Sequence, residues 1–295
     1  MSIRGRRRKA SPGRGRITAV ALSLAALLSF RLPGEGAPQE RPYRPTVGQE
    51  GKDVIWVPTP TLLAEAMLDL AKVAPGDFIV DLGSGDGRIV IAAARRGARA
   101  LGIEYNSDLV KLSIRNARQQ GVAARASFIQ GDIFASDFSK ATVVTMYLKP
   151  ELNLKLRPQI LAMKPGTRIL SHAFSMEDWE PDRVMELGGR TVYYWIVPAQ
   201  AAGSWIFKES AGTAELVCSQ SFQKVEGVLR SNGEDLALRN ARIEGARISF
   251  TVGTRPAAIR TFTGTIRGDT IQGTVRTGKG APVKWTATRL PPAAR

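Results

Sequence analysis

The run Phe78-Ile79-Val80-Asp81-Leu82-Gly83-Ser84-Gly85-Asp86-Gly87-Arg88 constrains this chain more than any other stretch. Its apolar, β-branched start reads as a buried strand. Three glycines spaced by two end that strand, and the apolar segment Ile89 to Ala94 follows at once as a helix. Strand, glycine loop and helix in this order open a nucleotide-binding α/β unit. Glycines there permit a tight turn and let backbone N–H groups approach a ligand with no Cβ in the way. The dinucleotide fingerprint needs glycine at the first, third and sixth positions. Counted from Gly83 the sixth position is Arg88, so that pattern fails. Asp81 sits two residues before the first glycine, and a carboxylate there suits a ligand with a cationic amino-acid tail better than a pyrophosphate.

The following residues extend the unit. Ala100 to Glu104 is a second strand that ends in an acid, seventeen residues beyond Gly87. A carboxylate at that place can accept from both hydroxyls of a ribose. Its other reading is an acid at the start of the next helix, favoured by the helix dipole. That helix runs from Ser107 or Asp108 to Gln120. Ser127–Gln130 is a third strand, and Asp132 after it is a candidate acceptor for an adenine amino group or an ordinary turn residue. Ala141–Leu148 is near-continuously apolar, as a strand buried on both faces should be. It ends at Tyr147, where side chains of a parallel sheet face the ligand crevice. A helix over Glu151–Met163 with Pro158 inside it, a strand over Thr167–Ser171 and a strand over Val192–Val197, at a sheet edge or next to it, complete this part. Upstream, Leu62–Leu70 has helical spacing, with Thr61 as its expected N-cap.

Charge is unevenly spread. The chain carries +16 over 295 residues, divided as +7 in residues 1–50, +2 in 51–198 and +7 in 199–295. The part with the glycine loop is nearly neutral, so the basicity suits an anionic surface or partner more than a nucleic-acid-processing site. Residues 1–16 hold seven Lys/Arg and no acid, and Ile17 to Phe30 are apolar or small. A basic stretch followed by a short apolar one is the pattern of a secretory signal. As a helix those fourteen residues reach about 21 Å, short of the ~30 Å bilayer core. The expectation is therefore an exported or membrane-anchored chain, with 1–30 as signal or anchor and 31–53, rich in Pro, Gly and charge, as linker. A mis-called start would make it cytoplasmic. One cysteine, Cys218, and one histidine, His172, exclude a disulfide framework and a cysteine- or histidine-rich metal site, so no metal is expected. Cys218 reads as a small buried apolar residue, and His172 as a structural histidine rather than a base.

From Ala199 the pattern changes to short β-rich segments separated by turn pairs such as Asn232-Gly233 and Gly268-Asp269. Regular short strands without helical period indicate an antiparallel sandwich or small barrel over 199–295. Nothing in it has the makings of a catalytic constellation.

Asp-x-Gly-x-Gly-x-Gly resembles the first motif of class I S-adenosylmethionine (SAM) methyltransferases. Residues 54–198 are similar to one group of them, the protein-lysine methyltransferases of the adenine nucleotide translocase and ATP synthase c-subunit with their prokaryotic relatives. The matching stretches are Val57-Pro58-Thr59-Pro60, Asp81 to Val90, Gly102 to Asn106, Gly131-Asp132 and Val143 to Leu156. Ala173 departs from the acid expected there. The resemblance implies a Rossmann-like methyltransferase sheet with flanking helices. It implies SAM held by Asp81, Gly83, Ser84, Gly85, Gly87, Glu104 and Asp132, and lysine side chains of a protein as acceptor. Tyr147 is the candidate to orient the amine, with Trp56, Tyr105 and Phe174 as cleft-lining or core aromatics. A small-molecule methyltransferase and an exported non-catalytic binding protein stay open beside it. Nucleic acid is not an expected partner, because the [Asp/Asn/Ser]-Pro-Pro-[Tyr/Phe] signature after the fourth strand is absent.

Overall fold

The computed structural model describes residues 43–209, 212–231, 233–253 and 258–291. The expected signal or anchor at 1–30 lies outside them. No helix among the described residues is long and apolar enough to cross a membrane.

The glycine loop belongs to the middle of a seven-stranded sheet. Strand β1 (Phe78–Leu82) lies between β2 (Arg99–Glu104) and β4 (Val143–Met146), parallel to both. Strand β3 (Ala126–Gln130) extends the β2 side, and β5 (Arg168–His172) pairs with β4, again in parallel. Two antiparallel strands finish the sheet: β7 (Arg190–Ile196) on β5, then β6 (Arg183–Leu187) at the edge. The strand predicted over Val192–Val197 is therefore the edge's neighbour. Strand β6 has no counterpart among the predicted elements. Its signal is Gly188-Gly189, both at positive φ (59° and 71°), a two-residue turn of the kind that closes hairpins.

Helices α1 (Thr61–Leu70), α2 (Arg88–Arg95) and α3 (Ser107–Gln119) share a core with the Ile79 face of β1. Helix α4 (Pro150–Leu161) packs with the Val80 and Leu82 face. The alternation of a strand thus divides β1 between two cores. Helix α3 starts at Asn106, whose side chain accepts from the N–H groups of Asp108 and Leu109. Thr61 does not cap α1. Pro60 holds that place without a side-chain bond, and its carbonyl accepts from Ala64 N–H. A helix entered from a proline already has its chain direction fixed, so the hydroxyl cap is dispensable.

Beyond residue 199, strands β8 (Gly203–Glu209), β9 (Gly212–Ser221), β10 (Lys224–Ser231), β12 (Arg239–Glu244), β13 (Arg247–Val252), β14 (Arg260–Arg267), β15 (Thr270–Thr277) and β16 (Val283–Arg289) form an antiparallel ring. Pairing of β9 with β10 closes it, and β11 (Glu234–Ala237) hangs on β10 as a hairpin arm. Of the two expected architectures this is the barrel. Its interior is filled: Phe207, Phe250, Phe262 and Trp285 stack or meet edge to face, with Cys218 buried among the same core. Burial pushes the Cys218 thiol up to about 12, which keeps it protonated and unreactive. Gly273 gives the Trp285 ring its room: a Cβ there would lie 2.0 Å from the Thr263 carbonyl oxygen and 2.8 Å from Trp285 Nε1.

The barrel sits against the end of the sheet away from the glycine loop. Gly245 in the β12–β13 turn meets Gly166, just before β5, and its carbonyl accepts from Ala199 N–H. Buried Gln223, in the β9–β10 turn, accepts from Trp179 Nε1 and donates to the Glu180 carbonyl. Phe222 stacks on Trp179, with ring centroids 5.7 Å apart.

Candidate functional site

The carboxyl ends of β1, β2 and β4 open into a cleft of about 970 Å³, open to solvent. Asp81, Gly83, Ser84, Gly85, Glu104, Asp132 and Tyr147 all line it. Gly87 does not. It supports the loop from behind, at φ 81° at the head of α2, where a Cβ would run into Phe128 and Ser113. Gly83 and Gly85 are also left-handed (φ 76° and 56°), and a Cβ on Gly85 would lie 2.7 Å from Trp56 Nε1. The loop sequence is therefore imposed by backbone conformation and by close approach together.

Two carboxylates organise the cleft. Asp81 is 4 % exposed and accepts from Thr145 Oγ1 at 2.6 Å. Burial raises its pKa from 3.8 to about 7. The Thr145 bond works against that rise, and the charges of Glu104 and Asp86 add to it. Glu104 spans the loop: Oε2 accepts from Gly85 N–H and Oε1 from Asn106 N–H, both at 2.9 Å. Each oxygen keeps a further lone pair, and the residue lines the cleft. The two readings of Glu104 therefore meet in one residue, since it serves the backbone ahead of α3 and still lines the cleft. Asp132, at the far end, accepts from Lys52 Nζ at 2.6 Å, which holds its carboxyl below the usual range.

Lys52 belongs to a strap, residues 50–59, that roofs the cleft, although its first residues fall in the stretch whose composition reads as linker. Lys52 lies 5.1 Å over the Tyr105 ring. Trp56 covers Gly85. Buried Thr59 is tied twice: its carbonyl accepts from Arg88 Nη1 (2.8 Å), and its Oγ1 lies 3.1 Å from His172 Nδ1. Arg88 is itself held by Asp86, through Nε at 2.9 Å and Nη2 at 2.6 Å. The Val57-Pro58-Thr59-Pro60 stretch is the sequence signal for this clasp, but a sequence does not say which wall a threonine will touch.

At the acceptor end, the Tyr147 ring lies 3.8 Å from that of His172 and 6.2 Å from that of Phe174. Tyr105 and Trp56 line the cleft; Phe174 reaches it only through Tyr147. His172 is fully buried, and burial lowers its pKa to about 4, with the charge of Arg190 adding to the effect. A ring that stays neutral to that pH has the character of a structural histidine. Ala173, next to it, is held at φ 67°, with its N–H donated to the Thr191 carbonyl.

This donor set fits a cationic amino-acid nucleoside. A buried carboxyl near its titration point stands at the glycine loop, a second carboxylate keeps acceptor capacity, and the loop excludes side chains. Among the described residues no group of His, Cys, Asp or Glu is arranged to hold a metal.

Comparison with known proteins gives the same picture. The ANTKMT methyltransferase domain matches residues 81–183. A protein-lysine N-methyltransferase of Saccharolobus islandicus is 40 % identical over 151 residues, which cover 49 % of this chain and 94 % of the relative. The human lysine N-methyltransferase of the ATP synthase c-subunit is 34 % identical over 47 % of this chain. Mouse adenine nucleotide translocase lysine N-methyltransferase is likewise 34 % identical over 47 %. This chain spans 59 % and 60 % of those two relatives. A crystal structure described as an RNA methyltransferase from Salinibacter ruber with S-adenosyl-L-homocysteine is 52 % identical. It covers 49 % of this chain and 95 % of its own, with a TM-score of 0.48.

Proposed function

This chain belongs to the class I protein-lysine N-methyltransferase family, and from that premise we propose that it methylates the ε-amine of a lysine in a protein substrate. The observation that carries the proposal is the convergence of Asp81, Gly83, Ser84, Gly85, Glu104, Asp132 and Tyr147 on one cleft. SAM supplies a methyl group on a sulfonium centre. Asp81 is the group to face the ammonium of its amino-acid tail, and a nearby cation drives that carboxyl to its ionised form. Glu104 takes the ribose hydroxyls with its free lone pairs. Asp132 takes the adenine amino group in exchange for, or beside, Lys52.

The acceptor must arrive without its proton, and a lysine in water holds it to a pKa of about 10.4. Tyr147, in ring contact with His172 and Phe174, offers an aromatic wall that lowers that value, and its hydroxyl is the group to orient the amine. The amine lone pair then forms the C–N bond as the C–S bond breaks, and the proton leaves to solvent. Alignment at ~3–3.5 Å supplies most of the rate in such an in-line transfer. Among the described residues, none of the barrel lines the cleft.

Calorimetry of the full-length protein with SAM tests the first half. Absence of binding defeats the proposal. Incubation with radiolabelled SAM and separated protein, RNA and metabolite fractions tests the second, and label confined to RNA or to small molecules removes the lysine reading. On the sequence alone, residues 1–30 are held to be an export signal or anchor. Recovery of a C-terminally tagged protein wholly in the cytosolic fraction would refute that.

A further inference from the structure

The acceptor wall is built on a backbone turn that an alanine does not adopt freely. Strand β5 ends at His172, and the chain turns at Ala173, held at φ 67° with its N–H on the Thr191 carbonyl. Phe174 N–H donates to the His172 carbonyl at 2.9 Å, so the three residues close a γ-turn of the left-handed kind. For a residue with a Cβ, such a conformation is disfavoured roughly five- to 150-fold against an ordinary one. The two residues that flank Ala173 are the ring partners of Tyr147, His172 at 3.8 Å and Phe174 at 6.2 Å. The strain therefore sits where the geometry of the amine site is decided.

Strain of this kind persists only where the surroundings over-determine the conformation. The side chain that does so is Asn153, one turn into α4 and wholly buried. Its Nδ2 donates to three oxygens, each at 3.2 Å: the Ser171 hydroxyl before the turn, and the Phe174 and Ser175 carbonyls after it. Its own backbone N–H donates to the Lys149 carbonyl, two residues beyond Tyr147. Asn153 thus joins the strand end that carries Tyr147 to both sides of the turn that carries its ring partners. Arg157, four residues on along the same helix face, donates to the Met176 carbonyl at 3.0 Å and extends the clamp.

The other end of the same amide is left over. Asn153 Oδ1 is buried and has no hydrogen-bond partner among the described residues. An unmade buried acceptor weighs against stability. The reverse orientation would set Oδ1 against two carbonyl oxygens, so the amide is fixed as it stands. A side chain kept for stability alone would satisfy both its ends, and Asn153 satisfies only the end that holds the turn. We infer that Asn153 is a positioning residue of the acceptor side. It keeps Ala173 in its strained conformation, and through His172 and Phe174 it sets the place of Tyr147 against the amine. The inference rests on the lysine acceptor proposed above. Asn153 itself does not line the cleft and touches neither substrate nor cofactor.

The test is a double-mutant cycle of N153A and A173G in the full-length protein. N153S replaces N153A if circular dichroism shows that variant misfolded. Without the clamp, Ala173 relaxes to negative φ and the wall moves, whereas glycine takes either sign about equally. N153A should therefore cut the initial rate of label transfer from radiolabelled SAM to the protein fraction of a cell extract at least about fivefold. Added to A173G, the same substitution should cost only about twofold. SAM affinity by calorimetry should stay unchanged by N153A in both backgrounds. Ring-13C tyrosine labelling reads the wall directly, with the Tyr147 signal identified by its loss in Y147F. That signal should move in N153A, and by a smaller step when N153A is added to A173G. Equal rate losses in the two backgrounds, a fall in SAM affinity that accounts for the lost rate, or an unmoved Tyr147 signal overturns the inference. An unaltered protein that labels no protein fraction defeats the lysine acceptor instead, and the Tyr147 signal then decides the positioning on its own.

Discussion

Replacing Asp81 by asparagine should stabilise the unliganded protein at alkaline pH while destroying its cofactor affinity. The folded carboxyl titrates at about 7 because it is buried, whereas an unfolded carboxyl titrates near its reference value of 3.8. Below the unfolded value both states are protonated and the group imposes no penalty. Between the two values the unfolded chain has released its proton and the folded chain has not, so stability falls as pH rises. Above the folded value the penalty is complete. Three pH units at 1.36 kcal/mol each make it roughly 4 kcal/mol. Asparagine cannot ionise and can still accept from Thr145 Oγ1, but it brings an NH2 that the pocket must satisfy, which returns about 1–2 kcal/mol. A net gain of about 2 kcal/mol at pH 8 corresponds to a melting temperature higher by ~4–8 °C. Thermal melts of both unliganded proteins from pH 4 to pH 8 check this, because other titrating groups cancel in their difference. The variant should melt slightly below wild type at pH 4, where only the amide cost remains, and rise above it as pH increases. A difference that stays flat across that range, or a variant that melts below wild type at pH 8, refutes the reasoning. Calorimetry should show SAM binding at least about tenfold weaker, since one charge-assisted contact of about 1.5–3 kcal/mol is gone.

Gly85→Ala forces a methyl group against Trp56 Nε1 in a left-handed backbone, and should cost SAM affinity at least about tenfold with a smaller loss of melting temperature; unaltered affinity would show that Trp56 yields. Tyr147→Phe keeps the ring packed on His172 and removes the hydroxyl, so kcat should drop about 10- to 100-fold with SAM affinity unchanged in titration. His172 should contribute no limb to the pH–rate profile near 6.5, because burial keeps it neutral down to about 4; disappearance of such a limb in His172→Gln would contradict this. Gly273→Ala should destabilise the barrel by about 1–3 kcal/mol through its clash with the Thr263 carbonyl and Trp285, seen as a lowered melting midpoint in tryptophan fluorescence.

The parts of this molecule legible in its sequence are those written in short range. Asp81 and the three glycines form one local unit, and Glu104 follows at the distance one helix and one strand dictate. Conformation imposes those residues, so spacing alone exposes them. The β-rich half is legible as a class but not as a closed ring, because closure depends on β9 meeting β10 at a turn, Phe222-Gln223, that carries no glycine or proline. Strand β6 escapes the pattern of apolar runs because four of its five residues are exposed, although Gly188-Gly189 announces its hairpin. The roof is hidden for another reason. Lys52 and Asp132 are separated by 80 residues, and Thr59 and His172 by 113. Polar contacts at such separations leave no periodicity to read, and a proline-rich approach to a helix looks like a linker whether or not it covers a cleft.

Thr59 gives its carbonyl to the arginine that braces the donor loop and its hydroxyl to the histidine behind the acceptor wall. One residue with no chemistry of its own thus feels both halves of a two-substrate reaction. A continuous path of two polar contacts and one ring face thus joins the arginine beside the glycine loop to Tyr147. Position 59 is therefore the place where a single side-chain change would loosen the seating of both walls of the cleft at once.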